Sequence, residues 1–309
     1  MAFFLAIDAG GTKTDYLLAN ESRTLARVRT GTIKRLRTDN ETAALNLEEG
    51  LLKLTAASGV SMSAVNRTCI GTAGETVPLV ADWLRSALAR RVAGSLLLLG
   101  DVEIALDAAF KGGPGILALA GTGSNVAGRT PAGTLSTCGG WGPTLADQGS
   151  GYAIGARALR SIFLAIDEGR ETELQQAILN FWNLSSLEAL IEFANQTPSP
   201  DVSRLTHLVF HCANRGDVMA REVLECEGRQ LGYLVRLLIR RMRSTLGSEF
   251  FVPSLAFAGS IMEKVQPVRD AVIAEVHSEF PQTDPMLGIV DPIEGALFRA
   301  REVGSPVSA

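Results

Sequence analysis

Small residues and oxygen donors gather at the ends of three apolar runs in this chain. They are Asp8 with Gly10, Gly11, Thr12, Lys13 and Thr14; then Gly121, Thr122, Gly123 and Ser124; then Gly259 and Ser260. A strand running into a Gly/Thr turn presents backbone N–H groups with no Cβ in the way, and such groups cradle phosphate oxygens. One turn of this kind says little, because Gly-Gly occurs in many hairpins. Two at matching places in two halves of a chain, with a third strand end of the same type, point to a bound nucleotide. Asp8, closing the first run, can hold a Mg²⁺ ion directly or through water. Lys13 and Thr14 are expected near the β- and γ-phosphates. No Walker sequence is present, nor a GxGxxG followed by a ribose-binding acid, so P-loop and Rossmann sites are disfavoured.

Strands must deliver these turns. Residues 3–8 are short, apolar and followed by glycines, the pattern of a buried strand that ends in a turn. Residues 15–20 and 24–30 read as two further strands, 40–58 as a helix, 68–71 as a strand and 77–91 as a helix. An apolar strand at 96–99 ends in Gly100-Asp101. The order β-β-β-α-β-α-β predicts a mixed sheet with helices packed on it. The pattern then restarts, with strands expected at 115–120, 126–129 and 133–137. AIDAGGTKTDYLLAN and ALAGTGSNVAGRTPAG both run strand, small-residue turn, strand, about 110 residues apart, and form a topological repeat. Residues 151–246 read as mostly helical, broken by a loop at 197–201. Within them, 221–243 is a long amphipathic helix whose arginines are expected on a solvated face. A strand at 255–258, a helix at 262–279 and a closing helix at 292–301 follow; the terminal GSPVSA is expected to fray.

A length of 309 residues suits two domains. A net charge of −4 gives no reason to expect nucleic acid or an anionic membrane as partner. Phosphates must therefore be held by local dipoles and metal rather than by a basic surface. The four cysteines (Cys69, Cys138, Cys212, Cys226) show no CxxC spacing, which fits a reducing cytoplasm. The opening MAFFLAID lacks a positive n-region and reads as a strand rather than a signal peptide. His207 and His211 stand four apart, but HLVFH lacks the Glu of a zincin helix, so two satisfied helix histidines are expected.

DAGGTKTD (8–15), AGTGSN (120–125), CGGWGPTLADQGSGYAIG (138–155), FAGSI (257–261) and the closing DPIEGALFRA (291–300) together resemble the BadF/BadG/BcrA/BcrD-type ATPase and N-acetylglucosamine kinase family. That family belongs to the sugar kinase, Hsp70 and actin superfamily. The resemblance implies an α/β fold of two ribonuclease-H-like, actin-like ATPase lobes with a cleft between them. The N-terminal lobe is expected to hold residues 1–112 plus 291–309, and the C-terminal lobe residues 113–290. The first two motifs would bind the phosphates of ATP from either side, and the FAGSI turn would lie by the adenosine.

Phosphorylating a sugar hydroxyl needs a base at the nucleophile, Mg²⁺ on the phosphates and in-line placement. Asp101 ends LLLLGD and resembles the family segment that carries the base; it could equally be the N-cap of the helix that follows. Asp107, six residues on, reads as a surface acid. Asn125 and Asp147 match family positions that contact sugar hydroxyls, although Asn125 could close a turn and Asp147 could cap a helix starting near Gly149. Trp141 either walls the sugar pocket or fills a core, and Gly139, Gly140 and Gly142 would let that segment pass close to substrate. Two departures stand out: Gly100 replaces the Asn usual before the base, and Lys34, Arg35 and Arg37 stand where small polar residues are expected. The cations form either a basic surface loop or a site for an acidic substituent of a muramic-type sugar.

The expected activity is ATP-dependent phosphorylation of N-acetylglucosamine, glucosamine or a muramic-type sugar. An ATPase that activates an electron-transfer enzyme and a non-catalytic sugar or nucleotide sensor are the alternatives. The expected partners are a small sugar and no nucleic acid or membrane, with a homodimer left open.

Overall fold

Strand β1 (Phe3–Ala9) is apolar on both faces because it lies in the middle of its sheet, where both faces are covered. It pairs antiparallel with β2 (Lys13–Asn20), which pairs antiparallel with β3 (Thr24–Gly31). Helix α1 (Asn40–Ser58) follows; Asp39 caps it by accepting the Thr42 N–H, and Gly59 stops it in the left-handed conformation. Strand β4 (Val65–Thr72) lies parallel to β1 on its other side. Then come α2 (Pro78–Ala89), β5 (Ser95–Leu99), which is parallel to β4, and α3 (Asp101–Phe110). This computed structural model describes residues 1–247 and 250–302, and the terminal GSPVSA lies outside the described residues.

The second half begins with β6 (Gly115–Ala120), β7 (Ser124–Arg129) and β8 (Leu135–Cys138). Five helices follow: α4 (Gly151–Asp167), α5 (Glu173–Phe181), α6 (Leu187–Ala194), α7 (Thr206–Asn214) and α8 (Val218–Leu246). Strand β9 (Leu255–Ala258), α9 (Ser260–Lys264), α10 (Gln266–His277) and α11 (Pro292–Arg301) complete the described chain. The first sheet runs β3-β2-β1-β4-β5 and the second β8-β7-β6-β9. The second order repeats the first through four strands, with β9 in the place of β4. The repeat read from the glycine turns is therefore a repeat of whole sheets.

The chain packs as two compact units. One comprises Met1–Leu117, Ala127–Leu135 and the segment from Val290; the other comprises Ala118–Val126 and Ser136–Ile289. In the first, alternate strand residues feed two separate cores. Leu5, Ile7, Tyr16, Leu18 and Ile70 pack with Leu47 and Leu54 of α1 and Val80 and Leu84 of α2. Phe4, Ala6, Leu17, Ala19 and Cys69 pack with Ile104 of α3 and with Ile293, Ala296 and Leu297 of α11. The period of two along each strand thus decides which helices it meets.

Three sequence expectations need correction. The helix read over 262–279 is two helices, because Pro267 sits in the first turn of α10, where it lacks an N–H to continue a preceding helix. The arginines of α8 are not all solvated: Arg236 is 19% exposed and bridges Glu275 and Glu279. With Arg240 on the same carboxylate, Glu279 is pulled down to about 2. Asp107 is no surface acid. It is fully buried, 2.7 Å from the buried Arg129 and 3.5 Å from Arg299.

Removing one partner of a buried pair leaves the other charge uncompensated, so Asp107→Ala is expected to lower stability by about 3–5 kcal/mol. Urea denaturation measures this; a loss below about 1 kcal/mol, the worth of an exposed pair, would show that Arg129 does not depend on Asp107.

Candidate active site

In the first unit, the turn at residues 10–12 joins β1 to β2, and the pairing sets Asp8 beside Asp15 and Ala9 beside Thr14. The segment after β3 pins this turn open. Thr32 Oγ1 donates to the Gly10 carbonyl at 2.7 Å, and the Ile33 N–H donates to Thr14 Oγ1 at 3.1 Å. Thr72 Oγ1 donates to the Ala9 carbonyl at 3.1 Å from the neighbouring strand. Thr14 is fully buried, whereas Lys13 is half exposed with its ammonium 4.0 Å from Asp15.

Carboxylates crowd this end of the sheet. Burial, reinforced by the charges of Asp101, Asp15 and Asp291, pushes the Asp8 carboxyl up to about 7, against a smaller opposing effect of Lys13. Asp15 is held by Arg29 in two contacts of 2.8 and 3.0 Å, with Arg27 at 3.7 Å. Arg27 also reaches Asp291, at 2.5 Å. A hard cation taking oxygen ligands is what such a cluster suits, with Asp8 as the carboxylate whose charge is least compensated. Among the described residues no group of three His, Cys, Asp or Glu is arranged to hold a metal by itself. A cation at Asp8 would therefore draw further ligands from phosphate and water.

Asp101 is the first residue of α3, and Gly100 takes the cap position. Its Oδ1 accepts the Val102 N–H at 2.9 Å. Burial raises the Asp101 carboxyl above its ordinary range, while the Lys34 ammonium draws it back. Glu75, which carries no signal in the sequence, completes this group. Its carboxyl is raised by burial and by Asp101 and lowered by Lys34. A Cβ at Gly100 would stand 3.3 Å from Glu75 Oε1, so the space beside Asp101 holds a carboxylate from another loop. Of the three loop cations, Lys34 thus acts on protein carboxylates, Arg35 donates to the Thr38 carbonyl at 2.6 Å, and Arg37 is exposed.

In the second unit, the residues singled out from three separate motifs meet. The Ser124 N–H donates to Asp147 Oδ1 at 2.7 Å, and Ser124 Oγ donates to the Gln148 carbonyl at 2.7 Å. The Gly151 N–H donates to the Gly121 carbonyl at 2.8 Å, so α4 begins on the glycine turn. A Cβ at Gly121 would lie 3.8 Å from Ser260 Oγ, so the turn and the head of α9 are neighbours, with Gly259 (φ 91°) between β9 and α9. Thr122 and Gly123 complete the turn, whose Gly121 N–H is taken by the Gly123 carbonyl.

Asn125 Oδ1 is buried without a hydrogen-bond partner, an acceptor that a sugar hydroxyl would satisfy. Gly140 (φ 74°) lies directly against it, where a Cβ would come within 2.5 Å of Asn125 Cγ. The helix cap weighed as the alternative role of Asp147 belongs to Ser150, whose Oγ accepts the Ala153 N–H. Trp141 is 73% exposed, which removes the core alternative for it; Gly142 closes its loop by pairing with Ala146. Gln148 Oε1, a second buried acceptor without a partner, gave no sequence signal. His207 stands edge-on to Phe181 at 5.3 Å. Cys69 and Cys212 are buried, and Cys138 and Cys226 partly so.

Known proteins resemble this chain along its whole length. An N-acetylmuramic acid/N-acetylglucosamine kinase of Clostridium acetobutylicum is 27% identical over 97% of this chain and 99% of its own. A provisionally assigned N-acetylglucosamine kinase structure from Chromobacterium violaceum superposes with a TM-score of 0.74 at 23% identity, covering 97% of this chain and 99% of the other. A ROK family glucokinase of Streptomyces griseus, solved with glucose and AMPPNP, gives 0.60 at 15% identity over 97% and 98%. These likenesses show the actin-like ATPase fold of sugar kinases, with its two sheets of matching strand order. The sequence profile of the BadF/BadG/BcrA/BcrD ATPase family matches residues 5–300, and the chain belongs to that family.

Proposed function

We propose that this protein is an ATP-dependent kinase that phosphorylates a hydroxyl of an amino sugar: N-acetylglucosamine, glucosamine or a muramic-type sugar. The observation that carries the reading is Asp101, a carboxylate at a strand-to-helix junction whose burial holds it above its ordinary range. A base in that state can accept the proton of the sugar hydroxyl as its oxygen attacks the γ-phosphorus. The bond from that phosphorus to the bridging oxygen breaks, and ADP leaves with the electron pair. Residues 10–12 and 121–124 each offer phosphate oxygens a turn without bulky side chains, with Lys13 beside the first, and Gly259 and Ser260 face the adenosine. Asn125 and Asp147 orient the sugar hydroxyls, with Gly140, Trp141 and Gly142 along the sugar's edge. Asp8 would hold Mg²⁺, which when bound offsets phosphate charge. ATP as the donor makes the cytoplasm the place of reaction.

Asp101→Asn is expected to bind ATP and sugar normally while kcat falls by roughly 10²–10⁴-fold. Coupled ADP release over a panel of neutral, amino and acidic sugars measures this and names the preferred acceptor; wild-type turnover in the variant would remove Asp101 as the base.

Because Asp101 acts deprotonated and its carboxyl is raised, kcat is expected to climb with pH through a limb above the ordinary carboxylate range. Lys34→Met removes the cation that draws Asp101 down, so the limb should move to higher pH for neutral and acidic sugars alike. A limb that stays in place, or a loss confined to acidic sugars, would return Lys34 to the role of a substrate-carboxylate site.

Asp8 gives a prediction readable without turnover. Its folded-state value of about 7 exceeds the unfolded 3.8, so the folded chain keeps a proton that the unfolded chain releases. Stability therefore falls as pH rises between those values. In metal-free protein at pH 8, Asp8→Asn should raise Tm by about 1–2 °C, the shift of roughly 1 kcal/mol in a chain of this size. Mg²⁺ should raise Tm for the native sequence and not for the variant. A variant less stable than the native protein at pH 8 would refute this.

A further inference from the structure

Glu227 lies midway along α8 on its buried side and is 3% exposed. Nothing in the proposed chemistry uses it. Its two oxygens serve partners outside its own helix: Oε2 accepts the Gly149 N–H at 2.9 Å, and Oε1 accepts Arg157 Nε of α4 at 2.5 Å. Gly149 (φ 77°) is pressed onto α8, where a Cβ would meet Leu231 Cβ at 2.7 Å and the Glu227 carbonyl at 3.3 Å. Its N–H is thus shut off from water and needs an acceptor from α8. A buried ion pair is weak evidence for stabilisation in itself, so the role of Glu227 is argued from what it holds.

What it holds is the segment carrying Asp147. On one side Asp147 is fixed through Ser124, whose N–H donates to its Oδ1. On the other, two residues along, the chain is fixed at Gly149 by Glu227. Between these anchors the Gln148 carbonyl accepts from Ser124 Oγ at 2.7 Å, and the Ser150 N–H donates to the Asp147 carbonyl at 3.1 Å. We propose that Glu227 is a positioning residue for sugar recognition, setting through Gly149 the direction from which Asp147 meets the sugar. The inference rests on the reading of Asp147 as a sugar contact. The Ser124 link leaves the glycine turn of residues 121–124 in place when Glu227 is lost, so nucleotide binding should be spared.

The test compares Glu227→Ala, Glu227→Gln, Arg157→Met and Asp147→Asn, reading KM for sugar, KM for ATP and kcat, with direct sugar binding by calorimetry. Glu227→Gln keeps an oxygen for Gly149 and turns its amide toward Arg157, which is 38% exposed and can swing to solvent. Expected are a sugar KM raised about 10-fold or more in Glu227→Ala, an ATP KM within about 2-fold, and near-native values for Glu227→Gln and Arg157→Met. Equal sugar defects in Glu227→Gln, Arg157→Met and Glu227→Ala would overturn the proposal, since the ion pair and not the Gly149 contact would then matter. So would parallel losses in both KM values. If Glu227→Ala does not fold, a sugar defect in Glu227→Gln as large as that of Asp147→Asn overturns it. Should Asp147→Asn bind sugar normally, the reading beneath falls; should it fail while Glu227→Ala binds normally, only the inference falls.

Discussion

The chemistry proposed for this molecule depends on fixing the shape of glycine turns at the ends of strands. A turn of glycines gives phosphate oxygens access, but such a turn is also the least constrained part of a backbone. The structure meets that conflict with side-chain hydrogen bonds from neighbouring segments. In the first unit Thr32 ties down Gly10 and Thr72 ties down Ala9. In the second, Asp147 takes the Ser124 N–H and the head of α4 takes the Gly121 carbonyl. The glycines supply access and the tethers supply shape.

Charge is distributed with the same economy. Asp8, Asp15, Asp101, Asp291 and Glu75 crowd the first unit, yet only some are neutralised. Asp15 has two arginines and a lysine, and Asp101 and Glu75 share the influence of Lys34. Burial first, and then the charges of Asp101, Asp15 and Asp291, raise the Asp8 carboxyl. With a net charge of −4, the chain is proposed to meet an anionic nucleotide through a cation drawn to Asp8. Buried pairs elsewhere act as fixtures: Asp107 joins α3 to Arg129 and Arg299, and Glu227 joins α8 to the segment that bears Asp147.

Much of this was legible in the sequence, and for local reasons. The glycine turns, the strands that feed them and the repeat of strand order all follow from apolar runs bounded by small residues, a pattern carried by neighbours in the chain. Asp8, Asp101 and Asp147 stood out because each falls at a strand or loop end within a recognisable motif. The split of the helix over 262–279 is also written locally, in Pro267.

What the sequence could not express is which distant groups share a space. Asp107 looked like a surface acid because its helix gives no sign of Arg129 and Arg299 arriving from other elements. Glu75 was silent until folding set it beside Gly100, and Glu227 until α8 was laid against Gly149. Lys34 reads from sequence either as part of a basic surface loop or as a site for an acidic substituent, and its influence on Asp101 and Glu75 became visible only in the fold. Sequence determined the turns and strands because their causes, Cβ sterics and alternation, act over a few residues. Tertiary structure alone decided the charges, because an electrostatic environment is the sum of everything nearby, whatever its distance along the chain.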